Sequence, residues 1–368
     1  MRAANVAAQE LSVRCTYLRR PVRMRIIGIS NKTRYWQQYA FSNPPDGYRY
    51  SRMIDMPWHI LRIRNQFLAH TKFFLPLKHA DLYHTYNSVV ANRRPWVIEV
   101  ESYLPRYKPM RESNPLFAWG QRRLASPDCK ALFFTSENTA RMNREKLVSI
   151  GVDPAKMTVL YRAVEQYQPG LKDPDRFTIL FAGNGFYRKG GIELLKAFQR
   201  LGRQDAQLWI VSTLEVDWGM FPKAEEIAWA EKTIADDPRI TLHRGIPHAR
   251  LIQLMREAHV FVSTTFSDPF NNTVLEAMGA QLPVISSRVS SIPEIVEDGR
   301  NGWLLPVIDR ASDDIADDIA LRLRGLMDAP DIWKRMSAES LAVVREKFDQ
   351  RIRNARLRVL YDRALGGA

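Results

Sequence analysis

At 368 residues the chain is long enough for two domains of ordinary size, and its 45% apolar content suits a folded globular protein. Cys15 and Cys129 are its only cysteines, which argues against a disulfide framework or a cysteine-based zinc site and favours a reducing, cytoplasmic setting. The net charge of +14 is concentrated: residues 1–165 hold 27 Lys and Arg against 12 Asp and Glu, and the rest is close to neutral. Such a first half expects an anionic partner (nucleic acid, anionic lipid or a phosphorylated acceptor), or else is a solvated basic surface.

Residues 1–23 are Arg-rich, without clear periodicity, and no apolar stretch follows them, so a secretory signal is not expected. No run approaches the roughly 18 apolar residues of a membrane span. Met24 to Ser30 reads as a first strand, and Ser30-Asn31-Lys32 as a loop at its end. Between 53 and 78, Met56, Trp58, Ile60, Ile63, Phe67 and Phe73 interleave with Arg52, Arg62, Arg64, Lys72 and Lys78. That pattern fits a basic amphipathic surface facing a membrane, or a helix packed on a core with its arginines in water. Strands follow at 81–86, 95–101, 131–135 and 157–161, with a helix at 137–150. This βαβ rhythm predicts a parallel sheet.

Periodicity lapses between Val164 and Lys172, as in an interdomain linker. A second series then begins, with strands at 177–182, 207–211, 240–243, 259–262 and 283–285 alternating with helices at 192–201, 222–235, 250–258 and 273–280. From Ser312 to Leu365 the pattern is helical, with breaks near Pro330 and Asp349.

Three loops of this second series follow strand ends. Phe181-Ala-Gly-Asn-Gly-Phe-Tyr-Arg-Lys-Gly-Gly191 combines glycines, which admit a close backbone approach, with Arg188 and Lys189 beside a helix start. Ser263 to Thr273 runs through Asp268-Pro-Phe-Asn-Asn272 into a helix capped by Asn271, Asn272 or Thr273. Free amides at such an N-terminus suit a phosphate. Asp268 and Glu276, with seven residues between them, could hold sugar hydroxyls on either side of it. Two bland readings stand beside this: Thr273-x-x-Glu276 is also a capping box, and Asp268 a turn residue. The third loop is Arg244 to His248. His84, His243 and His248 read as structural or solvated, and Glu294 as a candidate for capping or pairing.

Taken together, and with Ser290-Ser-Ile-Pro-Glu-Ile-Val-Glu-Asp-Gly-Arg-Asn-Gly-Trp-Leu-Leu305, these segments resemble glycosyltransferase family 4 over about 177–306. The resemblance is weaker over 24–165. Around Arg188-Lys189-Gly190 it is most similar to bacterial enzymes that build cell-surface glycans such as lipopolysaccharide core. It implies an α/β GT-B fold of two doubly wound Rossmann-like domains facing a central cleft. Residues 1–23 would be an extension, 24–168 the acceptor domain and 169–347 the donor domain, with a C-terminal helix at about 348–368 packing back on the first.

The implied activity is a retaining glycosyl transfer of the hexosyl type, from a UDP-, GDP- or ADP-sugar to an anionic glycan or glycolipid of the cell envelope. The implied location is the cytoplasm, with peripheral contact at the inner membrane face. No metal or other cofactor and no nucleic acid are expected. Glu276 would hold the ribose and Asp268 the donor sugar. The amides of Phe270, Asn271, Asn272 and Thr273 would hold sugar and diphosphate, beside Gly183 and Asn184. Arg188 and Lys189 would neutralise the leaving diphosphate, and the backbone of Ile246 and Pro247 would meet the base. Asp268, Glu101 and Lys189 are the catalytic candidates.

The chain departs from the family pattern in several places. Asp268 stands for the usual Glu, Pro269 for Gly, and Gln281 for the Gly after the donor helix. An Arg common near Asn184 is absent, with Arg188 as its substitute. The strand at 95–101 ends on Glu101 rather than a His. Ser30 and Asn31 replace a Gly-Gly pair. Other readings are a sugar-nucleotide 2-epimerase on the same fold, a non-catalytic binding module, and a basic nucleic-acid or anionic-membrane binder. For a nucleic-acid binder the chain has no RNP, KH or zinc-finger signature.

Overall fold

The computed structural model describes residues 24–30, 41–56, 65–217 and 219–366. The expectations for residues 1–23 and for Asn31 lie outside these. In the first half, β1 (Arg25–Ser30), β2 (Tyr48–Met53), β4 (Leu82–Tyr86), β6 (Trp96–Val100), β7 (Cys129–Phe134) and β8 (Met157–Val159) form one sheet in the order β2-β1-β4-β6-β7-β8. Every pairing in it is parallel. Two short strands, β3 (Thr71–Lys72) and β5 (Val89–Val90), pair beside it. The helices of this half are α1 (Gln66–Ala69), α2 (Pro115–Ala125) and α3 (Glu137–Ser149).

The stretch 53–78 is not one amphipathic helix. Its described residues give the end of β2, the four-residue α1 and β3, and Asp55 bridges to Phe74. Residues 57–64, which carry Trp58, Ile60 and Ile63, lie outside the described residues.

The second sheet comprises β9 (Phe177–Ala182), β10 (Ala206–Val211), β11 (Ile240–His243), β12 (Val260–Ser263), β13 (Val284–Ser287) and β14 (Gly302–Leu305). Its order, β11-β10-β9-β12-β13-β14, reverses direction between β9 and β12. That reversal defines a crevice outside the strand ends where ligands of such sheets bind. The crossover helices are α4 (Gly191–Leu201), α5 (Ala224–Asp236), α6 (His248–Glu257) and α7 (Asn272–Gly279), followed by the one-turn α8 (Ile292–Ile295). The helical tail divides into α9 (Ser312–Asp328), α10 (Pro330–Lys347) and α11 (Gln350–Ala364), broken at the two predicted points.

Strand β9 illustrates why the central strands read as unbroken apolar runs. Ile179 and Phe181 enter the cluster on one face of the sheet, while Leu180 and Ala182 enter the cluster on the other. All four are at most 1% exposed. A parallel strand covered by helices on both faces needs apolar residues at successive positions, each large one contributing about 1.5–3 kcal/mol.

The linker is extended but pinned. Val164 N donates to Phe348 O at 3.0 Å, Tyr167 N to Gly279 O at 2.8 Å and Gly170 N to Arg256 O at 3.0 Å. Gly279 permits this approach, because a Cβ there would stand 2.4 Å from Glu165 O. Gln281, the residue after the C-cap of α7, adopts the left-handed conformation expected there, with φ of 64°. Its side chain donates to Tyr167 O at 3.0 Å, a bond that the family's usual glycine could not make.

The chain then returns to the first sheet. Leu357, Leu360, Tyr361 and Ala364 of α11 share a buried cluster with Ile27, Tyr48, Leu82, Val97 and Phe133. Beneath it, Arg353 Nη2 donates to Glu99 Oε2 at 2.6 Å, and His84 Nδ1 lies 2.6 Å from the Tyr361 hydroxyl. Burial and Arg353 hold the His84 pKa well below its usual range, so this histidine is a neutral core residue.

Candidate active site

The two loops flanking the β9/β12 reversal touch directly. Phe266 N donates to Arg188 O at 2.9 Å. Gly190, at φ +81°, packs on Thr264: a Cβ there would lie 2.1 Å from Thr264 Oγ1 and 2.7 Å from its carbonyl. Both the backbone and the space require glycine. Gly190→Ala is therefore expected to cost about 1–3 kcal/mol through strain alone. Urea denaturation checks this; an unchanged midpoint would remove Gly190 from the contact between the loops.

Side chains converge on the same point. Lys189 crosses Gly183, where a Cβ would meet its Cδ at 2.5 Å. Its Nζ reaches Asp268 Oδ2 at 3.1 Å and Asn271 Oδ1 at 3.5 Å. Asp268 Oδ1 accepts from Phe270 N at 3.2 Å, as its reading as a turn residue expects, while Oδ2 faces Lys189. Arg188 donates from Nε to Asp217 Oδ2 at 2.8 Å and from Nη1 to Ser267 O at 2.6 Å. Asp217 was not foreseen: it lies in an irregular loop after β10 and nothing in its neighbours' spacing marks it. Asn184 is exposed near the start of its loop.

Helix α7 is capped by Asn271, whose side chain accepts from Val274 N at 3.3 Å. Thr273 is not the cap; its hydroxyl donates to Asn271 Oδ1 at 2.7 Å. Glu276 points elsewhere. It is 2% exposed, and its Oε1 lies 2.6 Å from His248 Nε2. His248, read from the sequence as structural or solvated, is thus paired with Glu276. The bond to Glu276 raises the histidine's pKa above its usual range. Pro247 stands at the N-cap of α6 and fixes the entry of His248 beside Glu276. The two line an open pocket of about 480 Å³ together with Glu165, Tyr167, Ala249 and Arg256.

From the first half, Glu101 follows the end of β6. Its Oε2 accepts from the Tyr86 hydroxyl, and its Oε1 lies 3.5 Å from Arg162 Nη2. Burial, then the charge of Asp268, push the Glu101 carboxyl up to about 8. Arg162, 3.5 Å from Glu101 Oε1, also donates to Asn272 Oδ1 at 2.6 Å, which brings Glu101 near the start of α7, where Asn271 lies 3.5 Å from Lys189.

Ser30, at the end of β1, donates to Asp55 Oδ2 at 3.2 Å, and Lys72 Nζ sits 3.0 Å from the same oxygen. Glu294 acts as a cap between domains, accepting from Glu137 N at 2.7 Å and Asn138 N at 2.8 Å at the start of α3. Among the described residues no group of three or more His, Cys, Asp or Glu could hold a metal ion, and no helix is long and apolar enough to cross a membrane.

Residues 176–324 match the family model described as glycosyl transferases group 1. The D-inositol 3-phosphate glycosyltransferase of Thermobifida fusca is 28% identical over 200 residues, which is 53% of this chain and 46% of that protein. The phosphatidylinositol N-acetylglucosaminyltransferase gpi3 subunit of Schizosaccharomyces pombe is 22% identical over 181 residues, covering 48% of this chain and 38% of its own. The chain thus matches less than half the length of either relative. Among solved structures, Anabaena Alr3699/HepE in complex with UDP and glucose superposes with a TM-score of 0.59 at 14% identity, covering 92% of this chain and 99% of that one. Sucrose-phosphate synthase from Thermosynechococcus elongatus gives 0.61 at 17% identity, covering 93% and 89%. The fold is GT-B, with two Rossmann-like halves.

Proposed function

We propose that the protein is a glycosyltransferase that moves a sugar from a nucleotide-sugar donor to an anionic glycan or glycolipid acceptor, with retention of anomeric configuration. The observation that carries this reading is the convergence of Lys189, Asp268 and the N-terminus of α7 at the reversal point of the second sheet, with Glu276 on the same helix. The match of 176–324 to group 1 glycosyl transferases supports it independently.

In this reading the α7 amides and Lys189 hold the diphosphate, and preorganised positive charge stabilises it as it leaves. Glu276 takes the ribose hydroxyls, and the base lies against Ile246 and Pro247 with the pocket beside Tyr167 and His248 continuing from it. Asp268 meets the donor sugar. Glu101 approaches the acceptor from the other domain. The route is same-face attack, with a donor phosphate oxygen taking the acceptor proton, and it needs no metal or other cofactor. The basic first half suits a phosphorylated acceptor presented at the inner face of the cytoplasmic membrane during envelope glycan synthesis.

Thermal shift with UDP-, GDP- and ADP-sugars tests the donor site. One series raises the melting temperature if the reading holds, and no shift with any of them overturns it. Lys189→Ala is expected to lower donor turnover by about tenfold to a hundredfold, the loss of one charge-assisted contact, while the melting temperature changes little. Nucleotide release from the donor is the measurement, and an unchanged rate would take Lys189 out of the reaction.

A further inference from the structure

Arg162 is the least expected residue in the cleft. It lies in the extended segment after β8, just before the linker that begins at Val164, and is 4% exposed. Its Nη1 donates to Asn272 Oδ1 at 2.6 Å, and its Nη2 lies 3.5 Å from Glu101 Oε1. The guanidinium carbon is also 5.2 Å from the ring centroids of both Tyr86 and Phe270. Tyr86 and Glu101 belong to the first domain, Phe270 and Asn272 to the second. One buried cation therefore touches an aromatic ring and a polar side chain on each side of the cleft.

We propose that Arg162 is a positioning residue that sets the start of α7, the phosphate-holding end of the donor site, against Tyr86 and Glu101 of the opposite domain. The inference rests on the donor-site reading above. Its physical basis is the shape of the side chain. A guanidinium is planar and forked, so it can lie near aromatic rings while donating in its plane to separate acceptors; an ammonium cannot do both. Asn272 is the first residue of α7, and Asn271 caps the same turn. Holding the Asn272 side chain fixes the direction of the amides that follow it. The same guanidinium stands beside the carboxylate proposed to face the acceptor, so the donor end and the acceptor end are set relative to each other through one residue. Asp268, Arg106 and Glu99 also act on Glu101 electrostatically, and Tyr86 donates to it.

The test is a double-mutant cycle read as nucleotide affinity. UDP, GDP and ADP are titrated calorimetrically against the full chain, against Arg162→Gln, against Asn272→Ala and against the double variant. Each single change is expected to weaken the best-bound nucleotide about tenfold, and the double change to be no weaker than the poorer single one, since the two side chains act as a unit. Arg162→Lys is expected to restore less than half of the lost affinity, because it keeps the charge without the fork. Multiplying effects, full rescue by Lys, or Arg162→Gln binding within twofold of the unaltered chain would each overturn the proposal. If Arg162→Gln does not fold, the comparison of Arg162→Lys with Asn272→Ala decides in the same way. If the unaltered chain binds none of the three nucleotides, the donor-site reading itself fails, which is a distinct result.

Discussion

Replacing Glu276 with Ala is expected to weaken nucleotide binding by at least a hundredfold while leaving the fold intact. The side chain is 2% exposed on α7 and lines the pocket it shares with His248 and Tyr167. A carboxylate that accepts from two ribose hydroxyls makes two charge-assisted bonds of about 1.5–3 kcal/mol each. Losing both costs about 3–6 kcal/mol, and every 1.4 kcal/mol is a factor of ten. The fold should tolerate the change, because Ala is the best helix former and Glu276 does not cap its own helix, a task held by Asn271. Calorimetric titration with UDP, GDP and ADP measures the affinity, and unchanged binding would dismantle the donor site.

The same variant carries a pH signature. The hydrogen bond to Glu276 raises the folded-state pKa of His248 above its unfolded value. A raised histidine contributes stability that is fully present below its unfolded pKa, about 6.5, and is lost as pH rises through the folded value. The unaltered chain should therefore lose part of its stability across neutral pH, and Glu276→Ala should lose that slope. Denaturation midpoints at a series of pH values separate the two, and parallel profiles would show that the pair does not exist in solution.

What the sequence made visible follows from the range of the interactions involved. Five strands of the second sheet were legible because apolar runs bounded by turns mark them, most clearly the doubly covered β9, β12 and β13; edge strand β14, the four residues Gly302–Leu305, was not. Residues such as Ile179, Leu180 and Phe181 leave little choice. The breaks in the helical tail were legible because Pro330 and Asp349 are local signals, and Asp349 does cap α11, accepting from Arg351 N at 2.7 Å. Edge strand β2 was not legible, since Tyr48-Arg-Tyr-Ser-Arg-Met53 alternates poorly and keeps only its two ends buried.

In the site, Lys189, Asp268 and the α7 start were marked by loop chemistry. Asp217 and Arg162 were missed because their partners lie 29 and 110 positions away. His248 was missed for the same reason, at 28 positions from Glu276. A lone histidine or arginine carries no local pattern that reveals such a partner. The one local signal for His248 is its place in the third loop, which follows a strand end of the same sheet as the Asp268 loop.

The largest stability effect is expected far from the donor site, at Arg353. Its guanidinium and the Glu99 carboxylate are both almost fully enclosed, at 2% and 0% side-chain exposure, and meet at 2.6 Å. Arg353 also donates to Tyr161 O at 2.8 Å, so it joins α11 to the segment after β8, at the residue preceding Arg162. Arg353→Ala removes the partner and leaves Glu99 buried without it, which costs about 3–5 kcal/mol. Urea denaturation should show that loss, and a shift below about 1 kcal/mol would mean that water reaches Glu99 in solution. Replacing both partners by Leu separates charge from packing. A buried ion pair is often no more stabilising than apolar residues of similar volume, so the double variant should recover most of what the single one loses. If it stays as unstable as Arg353→Ala, the bond to Tyr161 is the main tie. Nucleotide affinity should then fall along with stability, because the segment after β8 that carries Arg162 into the cleft would have lost its anchor to α11.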